Sequence, residues 1–461
     1  MDRSTEVPSP RTLDRRGFLK GLGAASALAA SVPLLNACGA TASPADQSAS
    51  SAAGSPAGSA SGSGAAGSTT LTLMLASWVD QGFITDVMQN SAAASIGATL
   101  KIVTVDDGTY PAQASAAQKA GQAPDLIFWT AQGATALLAS GVNLAPLDQY
   151  VASEDKAAFY EQDYQANTID GKIMGLGFRC NCRGIVYHGD YAKAAGLTVP
   201  TTWSFDEFGQ FAKALNVDDH IGFGFEAKTG DGRSSSNFLP LIWSTGASLV
   251  KGAPGSWEVG FTQDQMAQVM QFYYDSVHTW QSTPAEVGTW GYEQTDGNFA
   301  KGLLASYSAG PFVYPQSKSY PQTLENLALA PLPNAGTPAT FWEEHTLFIQ
   351  GEGKQQDLAW KFIEAMRSEE TQELIANRTG DAQLAVRKAS NSSITDPFIK
   401  GFGDLLPTAV VPEPVAIAPI MNNAVLPAIQ AVTLSDTPPA DAAAALITAM
   451  QGELQTINSA G

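Results

Sequence analysis

From residue 71 onward the chain alternates short apolar runs with amphipathic stretches. Residues 71–75 read as a strand, and 82–94 as a helix with Phe83, Ile84, Val87 and Met88 on one stripe. A second strand follows at 100–105, a helix at 111–120 and a third strand at 125–128. This β-α-β-α-β order predicts a mainly parallel sheet covered by helices. Ligands of such sheets gather beyond the carboxyl ends of the strands. The sequence places Trp78 and Asp80, then Asp106 and Asp107, then Trp129 at those three ends. Farther along, Ser204 and Glu207 have capping-box spacing ahead of Phe208, Phe211, Ala212 and Leu215. The stripes Ala359, Phe362, Ile363, Met366 and Leu446, Met450, Leu454, Ile457 read as core faces of helices.

Composition narrows the function. The 461 residues are 44% hydrophobic and 15% charged, the balance of a chain that buries a core. A net charge of −19 excludes a general nucleic-acid binder, which needs a basic stripe to displace counterions. With 4 His and 3 Cys there is little material for a zinc site, whereas 9 Trp, 12 Tyr and 20 Phe favour binding over catalysis.

The first 70 residues read as targeting and tether. Arg15, Arg16 and Lys20 precede an uncharged Ala/Leu-rich run that is short for a membrane span. The paired arginines resemble a twin-arginine export signal, and Leu35-Asn36-Ala37-Cys38-Gly39 resembles a bacterial lipobox. The resemblance implies a signal peptide over 1–37 and lipidation of Cys38. Residues 39–70, almost wholly Gly, Ala, Ser, Thr and Pro, form a flexible linker with a reach of roughly 30 Å. The expected location is extracytoplasmic, on the cell surface or in a periplasm, with the lipid as the membrane anchor.

Short segments then recur in a recognisable order. They include Ala123-Pro124-Asp125-Leu126, Asp170-Gly171-Lys172, Ala195-Gly196-Leu197 and Val199 to Trp203. Asn298 to Gly302, Ala309-Gly310-Pro311-Phe312, Ala330 to Pro333, Ala359 to Ile363 and Arg367 to Gln372 continue it. In this order the chain resembles a family 1 extracellular solute-binding protein, the carbohydrate-binding component of an ATP-binding-cassette importer. That resemblance implies an α/β, two-lobed, periplasmic-binding-protein-like fold, each lobe a mainly parallel sheet flanked by helices, with a ligand cleft between lobes. Mapped segment by segment, one lobe takes 71–178 and 332–388, the other 179–331 and 389–461. Closure of the lobes on a ligand would present the form that the permease subunits select.

A sugar offers hydroxyls at its edge and C–H patches on its faces, so aromatics stack on it and polar groups bond its rim. The candidate stacking residues are Trp78, Trp129 and Trp342, flanking first-lobe strands, and, as the resemblance implies for its cleft-facing segments, Trp243, Trp290 and Phe312 in the second lobe. Asp80, Glu343 and Glu344 are the candidate acceptors, and Arg179 and Asn181 the donors. Trp342 is expected to lose affinity, not stability, on truncation. Adjacent Glu343 and Glu344 would point to opposite faces of a strand, a poor shared metal or acid/base site. Cys180 and Cys182, two residues apart, sit at the upper edge of disulfide geometry, so a bond and two free thiols both stay open. The segment from Thr229 to Ser234 lacks the ligands of a calcium loop and reads as a flexible loop.

The expected protein is a monomeric receptor for a mono- or oligosaccharide, with no cofactor, no metal, no nucleic acid and no covalent chemistry. Two alternatives remain at this level. One is the same fold binding a polyamine or other small solute. The other is a secreted glycoside hydrolase, for which Asp80 and Glu344 would supply the two carboxylates.

Overall fold

A computed structural model describes residues 69–217 and 219–460. The expected signal peptide, Cys38 and the expected linker up to residue 68 lie outside the described residues; Thr69 and Thr70, expected in the linker, begin the first strand.

The first sheet contains β1 (Thr69–Ala76), β2 (Ala98–Val105), β3 (Leu126–Thr130), β4 (Leu176–Asn181), β8 (Glu343–Ile349) and β9 (Leu384–Ala385). Their order is β9-β4-β8-β3-β1-β2. β2 and β3 both run parallel to β1, with Leu71 opposite Leu100 and Leu73 opposite Leu126. This is the expected β-α-β-α-β unit. Its first helix is a single α-turn, Gln81–Phe83, that widens into a π-helix over Ile84–Ala93. Its second is α1 (Tyr110–Lys119). β8 runs antiparallel to β3 and to β4, and β9 antiparallel to β4. Parallel pairing is thus confined to the strands joined by helical crossovers.

The second sheet is β6-β5-β7, from β5 (Gly184–His188), β6 (Ser306–Ala309) and β7 (Leu327–Ala330). Both of its pairings are antiparallel. Parallel pairing appears beside it, in the isolated bridges Ile221 with Leu304, Gly224 with Tyr307 and Ser204 with Asn334, and in the short pair Thr340–Phe341 with Ala409–Val410. The helices around it include α2 (Phe205–Ala214), α3 (Ser234–Ser244), α4 (Gln263–His278) and α6 (Pro439–Ala460). Ser204 caps α2 in the expected capping box, accepting from Glu207 N while Glu207 returns a bond to Ser204 N.

Apolar packing follows the two sheets. Leu73, Phe128, Leu347 and Phe362 share one buried cluster under α5 (Gln356–Arg367). Phe208, Trp243, Met270 and Leu446 share another. A third, with Cys180, Cys182, Trp342, Leu384 and Phe402, forms where β4 runs on into β5. Both cysteines are free thiols, donating to the carbonyls of Ala385 and Phe402. Burial, relieved only slightly by Arg183, pushes the Cys182 thiol up to about 12, so it behaves as a small core side chain.

Candidate ligand-binding site

Strand parity on β4 and β8 organises the site. Glu343 faces Asn181 and His345 faces Arg179 across the β8–β4 ladder, while Glu344 faces Cys180 on the other side. The register slips between His345 and Thr346, a bulge that ends this short polar stretch. Continuing the same parity, Arg179, Asn181 and Arg183 point one way and the two cysteines the other.

The polar face is tightly bonded. Arg183 donates to Glu343, to Asn181 and, through Nε, to Ser236 Oγ at 3.0 Å. Asn181 Nδ2 donates to Gln383 Oε1 at 2.9 Å and to Glu343 Oε1 at 3.3 Å. Burial opposes the Glu343 charge, but the Arg183 guanidinium outweighs it and holds the carboxyl at about 2. Arg179 is paired with Asp381, donates from Nε to His345 Nδ1 at 2.7 Å and lies 4.1 Å from the Phe83 ring centre. Burial, reinforced by Arg179, lowers His345 to about 3 and keeps it neutral. Since Nδ1 accepts, the ring proton sits on Nε2, which lies 3.8 Å from Glu343 Oε1.

Aromatic groups flank this row. Trp78 leans on His345 at 4.9 Å and is 42% exposed, while Trp129 lies flat on Tyr110 at 4.9 Å and 6°. Both indoles donate to Asp107 Oδ1. On the other side Phe312 takes the Arg183 guanidinium at 5.4 Å and that of Arg233 at 5.0 Å. Arg233 also lies 5.0 Å from the ring of Tyr292, which is 43% exposed, and pairs with Asp296 at 2.8 Å. The contacts therefore run without a break from Trp78 through His345, Glu343, Arg183, Phe312 and Arg233 to Tyr292. They join the first sheet to the helices around the second.

Several expectations need correction. Trp342 is fully buried; its Nε1 donates to Glu344 Oε2 at 2.8 Å, and Tyr160 packs beside it. Glu344 is also fully buried, accepting from Asn167 and Thr346. A Cβ at Gly177 would overlap its carboxylate. Both residues have the parity of the core face, which removes them from any ligand surface. Burial, and next the nearby Asp163, raise Glu344 well above the usual carboxylate range. Trp243 is buried and stacked on Phe341 at 6.0 Å, in the apolar cluster that also holds Phe208 and Met270. Asp80 caps the first helical turn, accepting from Phe83 N at 2.7 Å, and is paired with Arg378 at 3.0 Å. With Asp80 engaged as a cap and Glu344 enclosed, the two carboxylates proposed for hydrolysis do not face a common space. Trp290 is half-buried, its carbonyl accepting from Ala227 N and Lys228 N at 2.9 Å. The loop from Thr229 to Ser234 is more tied than expected. Asp231 accepts from Arg233 N, Ser234 N and Tyr292 N.

Sequence reading missed Asp107, Arg183, Arg233, Tyr292 and His345. Asp107 stood at a strand end and His345 beside the chosen pair, so both were within reach. Arg183 follows from the alternation 179, 181, 183. Arg233 and Tyr292 meet only through tertiary packing and carry no local signal. Among the described residues no group of three or more His, Cys, Asp or Glu side chains is placed to hold a metal ion.

The model of a bacterial extracellular solute-binding protein matches residues 87–400. The mannitol-binding protein of Pseudomonas aeruginosa is 23% identical over 223 residues, 47% of this chain and 50% of that protein. The chain thus matches about half the length of this curated relative. In fold it is similar to a Thermotoga lettingae solute-binding protein solved with alpha-D-tagatose, at TM-score 0.69 and 19% identity over 85% of this chain and 100% of the other. A cyclic alpha-maltosyl-1,6-maltose binding protein from Arthrobacter globiformis matches at TM-score 0.69 and 18% identity, over 86% of this chain and 100% of the other. The two-lobed α/β architecture, matched over the full length of both solved relatives, agrees with the family model, which covers more than half of the chain. The chain belongs to the bacterial extracellular solute-binding protein family.

Proposed function

We propose that the protein is an extracytoplasmic receptor for a neutral sugar, oligosaccharide or polyol, delivering it to the permease subunits of an ATP-binding-cassette importer. The observation that carries this reading is the unbroken row from Trp78 to Tyr292. It has an exposed aromatic ring at each end and the ionised Glu343 in its middle. Aromatic faces suit the C–H patches of a sugar ring, and a carboxylate among amides suits its hydroxyls. The tagatose, cyclic maltosyl-maltose and mannitol named for similar proteins support the same class.

In this reading the lobes are 71–178 with 332–388 and 179–331 with 389–461, and they close on the ligand as a hinge. Within the proposed site, Trp78 and Phe312 stack and Glu343 meets hydroxyls; Asn181 and Arg179, expected as ligand donors, are buried and instead hold Glu343 and His345 in place. Trp129 and Trp290 border the site. The mature chain acts as a monomer held by lipid on Cys38 after twin-arginine export. Cys38→Ser is expected to release it from membranes, and continued membrane partitioning would overturn the anchor.

A thermal-shift and calorimetric panel of neutral saccharides, polyols and polyamines tests the function. A saccharide or polyol should raise the unfolding temperature and change tryptophan fluorescence by binding linkage. Stabilisation by polyamines alone would replace the ligand class, and cleavage of an oligosaccharide would overturn the receptor role.

A further inference from the structure

Three adjacent strand ends converge on one carboxylate oxygen. β1 leads into Trp78, β2 into Asp107, and β3 carries Trp129, and the order β2-β1-β3 makes them neighbours. Asp107 Oδ1 accepts from Trp129 Nε1 at 2.7 Å and from Trp78 Nε1 at 3.1 Å.

The two indoles are held unequally. Trp129 lies flat on Tyr110, which is buried and donates its hydroxyl to the carbonyls of Met74 and Phe128 at 2.8 and 3.0 Å. A Cβ at Gly133 would overlap the Trp129 ring, so that ring is closely packed by backbone as well. Trp78 instead is 42% exposed, tilted 37° on His345 and edge-on to Phe128 at 5.8 Å. Such contacts alone leave an exposed side chain free to exchange rotamers. A charge-assisted bond to Asp107, which is itself bonded to the half-buried Trp129 on its Tyr110 stack, restricts that exchange. The ordering that a ligand would otherwise impose on Trp78 is then already done.

We propose that Asp107 is a positioning residue of the ligand site, fixing the exposed Trp78 indole to the more tightly packed Trp129. The proposal rests on the saccharide reading, because a preset aromatic face is useful to a ligand that stacks. Asp107 would act through hydrogen-bond geometry, so an amide oxygen in the same place should serve nearly as well as the carboxylate.

The experiment compares Asp107→Asn and Asp107→Leu in the full chain, with Trp78→Phe used to assign the Trp78 contribution to fluorescence. Without ligand, acrylamide quenching of Trp78 should rise about twofold in Asp107→Leu and stay near the parent value in Asp107→Asn. Calorimetry with the saccharide found in the panel should show about tenfold weaker binding for Asp107→Leu and recovery to within about threefold for Asp107→Asn. Unchanged quenching and affinity in Asp107→Leu overturn the proposal. Equal loss of affinity in both variants with unchanged quenching also overturns it, in favour of a direct charge contact with the ligand. If no saccharide binds the parent protein, the functional reading fails, and the unliganded quenching still decides whether Asp107 holds Trp78.

Discussion

Glu343 and Glu344 are neighbours on β8, yet the two sides of that strand have opposite electrostatics. Glu343 shares its face with His345, Arg179, Asn181 and Arg183, and a guanidinium holds it ionised at about 2. Glu344 shares its face with Trp342 and Thr346 and has burial and Asp163 as its main influences, so it keeps its proton. Behind it Arg367 donates to Asp163 at 2.7 Å and to Glu154 at 2.8 Å, stacked 3.9 Å from the centre of the Phe159 ring. The two differ in both burial and partners. Glu343, its side chain 22% exposed beside a cation, stays charged and can meet ligand hydroxyls; Glu344, fully buried beside another carboxyl, is neutralised and serves the fold.

The comparison breaks most readily on the core side. Arg367→Ala leaves Asp163 and Glu154 without their cation in a closed site, a loss of about 3–5 kcal/mol. Urea denaturation should register it, while the remaining folded fraction binds saccharide normally. Trp342→Ala should cost about 3–5 kcal/mol by opening a cavity, and it also strips Glu344 of its indole donor. This reverses the expectation from sequence, in which Trp342 was a stacking residue. A stable Trp342→Ala protein with weakened binding would restore the earlier assignment and erase the contrast between the two faces.

Acid and base titration sharpen the contrast further. His345 titrates near 3 in the folded chain against an ordinary 6.5, so the unfolded chain binds the proton first. Its share of stability is complete above pH 6.5 and is lost as pH falls toward 3. Glu343, lowered from 4.5 to about 2, acts in the same direction at lower pH. Glu344 runs the opposite way. Its folded form retains the proton, so stability is full below pH 4.5 and declines as pH rises through its elevated value. Urea midpoints measured from pH 3 to 8 should show His345→Asn flattening the acid limb and Glu344→Gln flattening the loss on the alkaline side. Identical profiles for the two variants would mean that the faces do not differ in charge state.

Much of the fold was legible because its signals are local. The stripes at Phe208 and Phe362, the Ser204 capping box and the first three strands depend on residues close in sequence. The antiparallel second sheet was not, since β5, β6 and β7 are far apart in the chain and their pairing depends on contacts across the helices between them. For the proposed site, Trp78 was within reach because a strand end marks it, and Phe312 came in through the family resemblance of its Gly310-Pro311-Phe312 segment. Trp342 and Glu344 were misplaced because the alternation that ruled out a shared Glu343–Glu344 site was not carried on to the choice of which face meets the ligand. Period-two parity groups 342 with 344 and 343 with 345, and packing decides that the first pair faces inward. Arg233 over Phe312 and Tyr292 is a tertiary meeting of three separated segments, which periodicity does not encode.

The smallest expected effect on stability belongs to the residue expected to matter most for binding. Trp78 is 42% exposed; its neighbours are His345 and the edge of Phe128, and its one polar bond goes to an exposed aspartate. Its truncation removes little buried surface and leaves no closed cavity, so Trp78→Ala should unfold within about 1 kcal/mol of the parent. A stacking platform has a different ledger. Removing a large aromatic from the centre of a desolvated contact typically costs about 2 kcal/mol or more, which is about 30-fold in affinity. Calorimetry should therefore show saccharide binding weakened at least about tenfold in a protein of nearly unchanged urea midpoint. Paired with Trp342→Ala, the two variants form a crossed test, one losing stability and the other affinity. If Trp78→Ala instead binds like the parent, the exposed tryptophan is a rim residue, and the ligand must be held nearer to Phe312 and Tyr292.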